Sequence, residues 1–211
     1  TLEASNAGTL KTALTDGVPS QVNNIAVTVN GTNAAAADLL SIANLTSAKA
    51  KVDAVAITGT VADLTKVYVT NKSSFTALGN ENVSITPVAL ATSISASDVN
   101  SIAKVTSGAV TATVSSGTAK DLLAALKDTN GKDNLIITIG DTVADAKDLL
   151  ALAGKTSVAI GAGAVTEITG TVADVNKVIA AKTAVPATIT LPANPNYTLS
   201  GTVKAVDADD I

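Results

Sequence analysis

One eight-residue phrase occurs twice in the chain and constrains its fold more than any other feature. It reads Ile-Thr-Gly-Thr-Val-Ala-Asp-Leu at residues 57–64 and Ile-Thr-Gly-Thr-Val-Ala-Asp-Val at residues 168–175. Looser copies occur elsewhere, and their aspartates recur about every 25 residues, sometimes further apart, which is a solenoid period. The pattern predicts roughly seven repeats of one structural unit. The anchoring acids are Asp38, Asp63, Asp98, Asp121, Asp148, Asp174 and Asp207.

The recurrent phrase has the chemistry of a helix N-terminus. A Thr or Ser hydroxyl at the N-cap accepts a hydrogen bond from a backbone N–H two or three residues on. An Asp three residues later lies in the first turn, where its carboxylate interacts favourably with the free amides and the helix dipole. The predicted pairs of cap and first-turn acid are Thr60 and Asp63, Ser95 and Asp98, Thr118 and Asp121, Thr142 and Asp145, and Thr171 and Asp174.

A β-branched segment precedes each helix start, and several of these segments alternate apolar residues with Thr, as half-buried strands do. Strands joined by a crossover helix pair in parallel. The sequence therefore predicts one α/β domain over residues 1–211, a right-handed solenoid of stacked strand–short-helix repeats with a parallel β-sheet. Because the chain opens at Thr1 and not at Met, we expect it to be a segment of a longer protein.

The residue types that the chain lacks argue against most enzyme chemistry. It has no His and no Cys, so the commonest general bases, thiol nucleophiles and zinc ligands are missing. The recurrent aspartates already have a structural role at helix starts. Aromatic side chains, which usually line the grooves of glycan-cleaving solenoids, make up 1% of the chain. We therefore expect no enzyme activity.

Charge and hydropathy also limit the partners. A net charge of −4 with no clustered basic residues predicts no nucleic-acid binding. No apolar run approaches the length of about 18 residues that a membrane span needs, so we expect no membrane insertion. We expect no cofactor, since no calcium motif of the RTX or EF-hand type is present. The weak candidates for a calcium ion are Asp207, Asp209 and Asp210, for which a helix N-terminus is the simpler interpretation.

Threonines two residues apart recur on the predicted strands. Stacked, they would form a flat Thr array, the surface that ice-binding solenoids use. The simpler interpretation is that Thr is favoured on an exposed strand face, and the second Thr of some pairs is also a helix cap. A binding module therefore stays open as the alternative function, either an adhesin for a surface glycan or an ice-binding Thr face. The pairs are Thr58 and Thr60, Thr111 and Thr113, Thr169 and Thr171, and Thr188 and Thr190.

The phrase at 57–64, together with Asp-Leu-Leu-Ala-Leu-Ala at 148–153, resembles degenerate repeats of very large secreted proteins of bacteria, notably cyanobacteria. That group includes S-layer-like, motility-associated and adhesin-like surface proteins. The resemblance implies an extracellular or cell-surface location and a structural role, as a rod, a spacer or a self-assembling surface-layer or filament component. The partners we expect are neighbouring repeats of the same chain or further copies of it. No functional residues carry over from the resemblance.

Overall fold

The computed structural model describes residues 2–4, 6–16 and 24–201. Within them it shows a mixed α/β protein with parallel sheets, so the predicted class and the predicted strand direction are confirmed. The seven α-helices of the described residues are α1 Ala7–Asp16, α2 Ala36–Leu45, α3 Val61–Thr65, α4 Ala96–Ala103, α5 Ala119–Ala125, α6 Ala146–Ala153 and α7 Val172–Thr183. A π-helical segment, Lys66–Thr70, continues α3, and a short 3-10 turn, Lys72–Ser74, follows it.

The strands are short, and none of those in the described residues is longer than five residues. They are β1 Leu2–Ala4, β2 Val27–Gly31, β3 Ala34–Ala35, β4 Ala50–Ala54, β5 Ala56–Gly59, β6 Phe75–Thr76, β7 Asn82–Ile85, β8 Val110–Thr113, β9 Asn134–Ile136, β10 Val143–Asp145, β11 Ile160–Gly161, β12 Glu167–Gly170, β13 Ile189–Thr190 and β14 Asn196–Leu199.

The chain divides into two compact units. The first comprises Thr1–Thr92 and Ser101–Ala112, and the second comprises Ser93–Asn100 and Thr113–Ile211. The single domain expected over residues 1–211 stays a prediction.

In the first unit, strands from successive parts of the chain lie side by side in two parallel sheets. One sheet has the order β1-β2-β4-β6, and β3, β5, β7 and β8 follow one another in the other. Their register keeps apolar residues on one inward row. Ile57 pairs with Val83, and Val83 with Val110, and all three are buried. Each partner lies roughly 25 residues further along the chain, the spacing of the sequence repeat.

The second unit repeats this arrangement with the sheets β10-β12-β14 and β11-β13, both parallel. Ala144 pairs with Ile168, and Ile168 with Tyr197. Ala144 and Ile168 are buried, whereas Tyr197 is exposed. In the β11-β13 sheet, Ile160 pairs with Ile189, and both are fully buried.

Several separate sheets take the place of the single sheet that the sequence predicts, because the chain turns a corner between the two strands of a repeat. Strands β4 and β5 are separated only by Val55, whose side chain is exposed and whose N–H donates to the Gly31 carbonyl of the preceding repeat. Gly31 has a φ of 127°, a conformation that favours glycine. The corner sends β4 and β5 into different sheets.

The helices are amphipathic in the way that the spacing predicts. Leu39 and Ile42 of α2, and Leu149 and Leu152 of α6, follow the anchoring aspartate by one and four residues and are fully buried. Helices of two or three turns are marginal alone, so this packing is what stabilises them. In the second unit α6 packs against both α5 and α7, which places the starts of successive helices beside one another.

Candidate functional site

The recurrent aspartates lie at helix starts, where neighbouring groups form hydrogen bonds or ion pairs with them. Thr60, Thr118 and Thr171 are the N-caps of α3, α5 and α7. Their hydroxyls accept hydrogen bonds from the N–H of the aspartate three residues on, at 3.2, 3.0 and 3.2 Å. The Thr60 and Thr171 hydroxyls also donate to the carboxylates of Asp63 and Asp174, at 3.0 and 2.9 Å. This geometry assigns the motif to helix initiation.

Ser95 makes the same reciprocal contact before α4. Its Oγ accepts from the Asp98 N–H at 3.1 Å and donates to Asp98 Oδ2 at 2.7 Å. In α3 and α7 the first-turn acid also forms an ion pair with a lysine three residues on, Asp63 with Lys66 and Asp174 with Lys177, each at 3.6 Å.

The start of α6 differs from the sequence-based assignment of Thr142 as its cap. Asp145 is the N-cap, and its Oδ1 accepts from the N–H groups of Lys147 and Asp148 at 2.9 and 3.4 Å. The reason is sheet pairing: Ala144 lies in β10 opposite Ile168 and is buried, so the chain stays extended as far as Asp145. Thr142 is exposed and precedes the strand.

Asp141 has a role that the sequence did not suggest. Its Oδ2 accepts a hydrogen bond of 2.7 Å from the N–H of Ala119, the first residue of α5, which belongs to the preceding repeat. Helix α5 is therefore capped twice, by Thr118 of its own repeat and by an acid of the next one. A carboxylate at a helix N-terminus is stabilised by the free amides and the helix dipole.

A second recurrent motif, missed at the sequence level, joins successive repeats. It is a buried threonine after a helix, followed by serine, at 46–47, 106–107 and 156–157. Each hydroxyl donates to a main-chain carbonyl 21 or 25 residues earlier and accepts from the N–H two residues on. The carbonyl contacts are Thr46 to Ile25 at 2.9 Å, Thr106 to Glu81 at 2.7 Å and Thr156 to Leu135 at 2.9 Å. The N–H donors are Ala48, Gly108 and Val158. The recurrence of the Thr-Ser pair is the sequence pattern from which this motif could have been predicted.

The most unusual polar group in the described residues is a buried carboxylate in the first unit. Glu81 is only 3% exposed, and its Oε2 accepts from the Tyr68 hydroxyl at 3.1 Å and from the Gly79 N–H at 2.9 Å. Its Oε1 is buried without a hydrogen-bond partner. Tyr68 comes from the π-helical segment and is itself buried. Burial, and then the negative charge of Glu81, raise the pKa of Tyr68 far above its ordinary value.

The buried, hydrogen-bonded pair of Tyr68 and Glu81 is suited to binding a ligand or to stabilising the fold. A tyrosine whose pKa is raised stays protonated, so Tyr68 acts as a hydrogen-bond donor and not as a nucleophile or base. Among the described residues no three His, Cys, Asp or Glu side chains are grouped so that they could hold a metal ion. The weak calcium candidates Asp207, Asp209 and Asp210 lie outside the described residues.

The paired threonines of the strands fall into rows of mixed character. In the first unit Thr58 pairs with Ser84, and Ser84 with Thr111, which gives a row of hydroxyl groups on the side of the sheet away from the buried row. In the second unit Thr169 lies between Asp145 and Thr198. The second threonines Thr60 and Thr171 are helix caps.

No helix in the described part of the chain combines the length and the apolar character that crossing a membrane requires. Comparisons with protein-family models, with curated proteins and with solved structures give no match.

Proposed function

We propose that the chain is a structural repeat module of a secreted or cell-surface protein, acting as a rod or spacer or as a self-assembling surface-layer or filament component. Its proposed architecture is a solenoid of about seven repeats. The observation that carries the proposal is the pairing of strands: in each unit a strand takes its parallel partner from the next repeat along the chain.

Polar contacts support the same role because they also run from one repeat to the next. The buried hydroxyls of Thr46, Thr106 and Thr156 each bond to main chain of the preceding repeat. Lys11 of α1 forms an ion pair of 2.6 Å with Asp38 of α2. A chain whose apolar and polar groups are used between neighbouring repeats gains stability with each repeat, and length is the property that a spacer needs.

Strand β14 is where we expect further copies to associate. Tyr197 holds the register position of Ile168 and Ala144 but is 38% exposed, whereas those two are 0% and 4% exposed. Among the described residues β14 is the last strand of its sheet, and Asn196 and Ser200 donate toward β12. Because parallel strands alternate the direction of their amides, the N–H groups of Tyr197 and Leu199 point to the other side. No described strand pairs with this side of β14, and an unpaired strand edge accepts another strand.

The test is light scattering of the purified chain over a range of concentrations. We expect the wild type to associate and Tyr197→Lys to shift the association to higher concentration by roughly tenfold, because a charge at a strand edge blocks pairing. Asn194→Lys makes the same charge change at an exposed loop position and should behave as wild type. A wild type that stays monomeric at high concentration would remove the self-assembly part of the proposal and leave the spacer.

The extracellular location rests on the sequence resemblance of residues 57–64 and 148–153. It is tested by treating intact cells of the source organism with a protease that does not cross membranes. Loss of the protein from intact cells supports a surface location. Protection until the cells are lysed contradicts it.

One observation favours the alternative, a binding module. The hydroxyl row Thr58, Ser84 and Thr111 is partly exposed and in register on adjacent strands, with a spacing of about 4.8 Å. Thermal hysteresis tests an ice-binding face, and a glycan array tests an adhesin. A positive signal that Thr111→Lys removes supports the binding module, and no signal in either assay favours the spacer.

A further inference from the structure

Glu81 has one satisfied and one unsatisfied carboxylate oxygen, and this asymmetry indicates a ligand. Both donors that contact the side chain, the Tyr68 hydroxyl and the Gly79 N–H, bond to Oε2. Oε1 is buried and has no partner among the described residues. Buried polar atoms in folded proteins are bonded to protein, water or an ion, so an atom left bare requires an explanation.

The charge of Glu81 is also unbalanced within the described part of the chain. Ion pairs seen there involve other acids, among them Asp38, Asp53, Asp63 and Asp174. Tyr68 and Gly79 are neutral donors and leave the negative charge in place. A buried carboxylate with no cation paired to it strongly destabilises the folded protein.

Glu81 is held in this position through its carboxylate and through its main chain. Tyr68 lies in a π-helical segment, a local insertion that is frequent at functional sites. On the other side, the Thr106 hydroxyl donates to the Glu81 main-chain carbonyl at 2.7 Å, and Gly108 packs directly on the same peptide. The main chain of Glu81 is thus held by the next repeat.

We propose that Glu81 Oε1 is a ligand of one bound monovalent metal cation, Na⁺ or K⁺. One carboxylate balances one positive charge, and the acids that a divalent ion prefers are not grouped here in the described residues. The Tyr68 hydroxyl donates its proton to Oε2, so its oxygen lone pairs remain available as a neutral ligand beside the carboxylate.

The test is thermal unfolding of the purified chain in NaCl, KCl, CaCl₂ and choline chloride at one ionic strength of about 0.15 M. Choline is too large for a buried site and serves as the cation that does not bind. We expect the midpoint of the wild type to be higher by about 3 °C in NaCl or KCl than in choline chloride, because a ligand of the folded state alone stabilises it.

Glu81→Gln is the matched variant, because it keeps the shape of the side chain and an oxygen for the Tyr68 hydroxyl but removes the charge. Its midpoint should be the same in all four salts. Equal midpoints for the wild type in NaCl, KCl and choline chloride would overturn the proposal, as would stabilisation by CaCl₂ alone or a salt effect that persists in Glu81→Gln.

If Glu81→Gln does not fold, crystals of the wild type grown in RbCl decide the matter. Rubidium replaces potassium and scatters anomalously. An anomalous peak beside Glu81 Oε1 supports the proposal. A water or an empty position there, together with no bound ion in matched crystals grown in NaCl, contradicts it.

Discussion

Gly108 lies where the main chains of two repeats are closest. A Cβ atom at this position would lie 2.0 Å from the Glu81 carbonyl oxygen and 2.7 Å from the Asn82 nitrogen, and both are main-chain atoms of the preceding repeat. A flexible side chain can move away from a new methyl group, but two hydrogen-bonded main chains cannot do so cheaply. Position 108 therefore requires glycine, because the two main chains lie too close together to leave room for a Cβ atom.

We expect Gly108→Ala to lower the free energy of unfolding by about 3 kcal/mol, as measured by urea denaturation. Gly163→Ala is the control, because a Cβ there meets no atom within 4 Å and the Gly163 backbone is not left-handed. The control should lie within about 0.5 kcal/mol of the wild type. Equal stability of the two variants would show that the repeats can separate at Gly108.

Tyr68 predicts a specific response to alkaline pH. Its pKa is higher in the folded chain than the ordinary value of 10.0, because of its burial and the nearby Glu81. The unfolded chain therefore loses this proton first as pH rises. The stabilisation from Tyr68 is complete below about pH 10 and is lost at about 1.4 kcal/mol per pH unit above it.

The measurement is the difference in free energy of unfolding between the wild type and Tyr68→Phe, from urea denaturation at pH 8, 10 and 11. Phenylalanine cannot ionise, and both proteins share every other titrating group. We expect the advantage of the wild type at pH 8 to shrink by about 1.4 kcal/mol at pH 11. A difference that stays constant over this range would show that Tyr68 ionises equally in both states.

Helix α6 offers a test of which residue starts a helix. Asp145 accepts two main-chain N–H bonds as the N-cap, whereas Thr142 is exposed and contributes no cap. We expect Asp145→Ala to cost about 1 kcal/mol in thermal or urea unfolding. Thr142→Ala, the variant that the sequence pattern alone would single out, should cost less than about 0.5 kcal/mol. The reverse order would place the cap at Thr142.

The starts of α3 and α6 differ in whether they can be predicted from the sequence. A cap such as Thr60 joins groups three residues apart, so local sequence is sufficient to predict it. The α/β class and the parallel pairing follow from the alternation of strand and helix patterns. The start of α6 depends instead on the pairing of Ala144 with Ile168, which no local pattern contains.

The Glu81 site could not be predicted from the sequence for the same reason. Its burial depends on Tyr68, 13 residues earlier, and on a glycine and a threonine of the next repeat. Residue types that are individually common carry no signal until the chain brings them together. The bend between β4 and β5 was equally hidden, because a single residue, Val55, separates the two strands.

If the repeats of the second unit stack as proposed, they are equivalent layers, and one layer can be deleted. The strand register gives the residues at which such a deletion begins and ends. Val143 and Ala144 lie opposite Glu167 and Ile168. On the other sheet, Gly161 lies between Thr138 and Thr190. Helix α6 likewise lies between α5 and α7. Deleting residues 144–167 therefore joins Val143 to Ile168 at equivalent points, brings Thr138 opposite Thr190, and places α7 against α5.

We expect the chain without residues 144–167 to keep the α/β circular-dichroism spectrum and a cooperative thermal transition at a lower midpoint, because one repeat interface is lost and the others are re-formed. Deleting residues 144–155 is the control. It removes α6 and all of β10 except Val143 but keeps β11 and β12, so strand register and helix packing can no longer be satisfied together. This shorter deletion should abolish the cooperative transition. If the two deletions are equally damaging, the repeats are not equivalent layers, and the solenoid on which the proposed spacer role rests is incorrect.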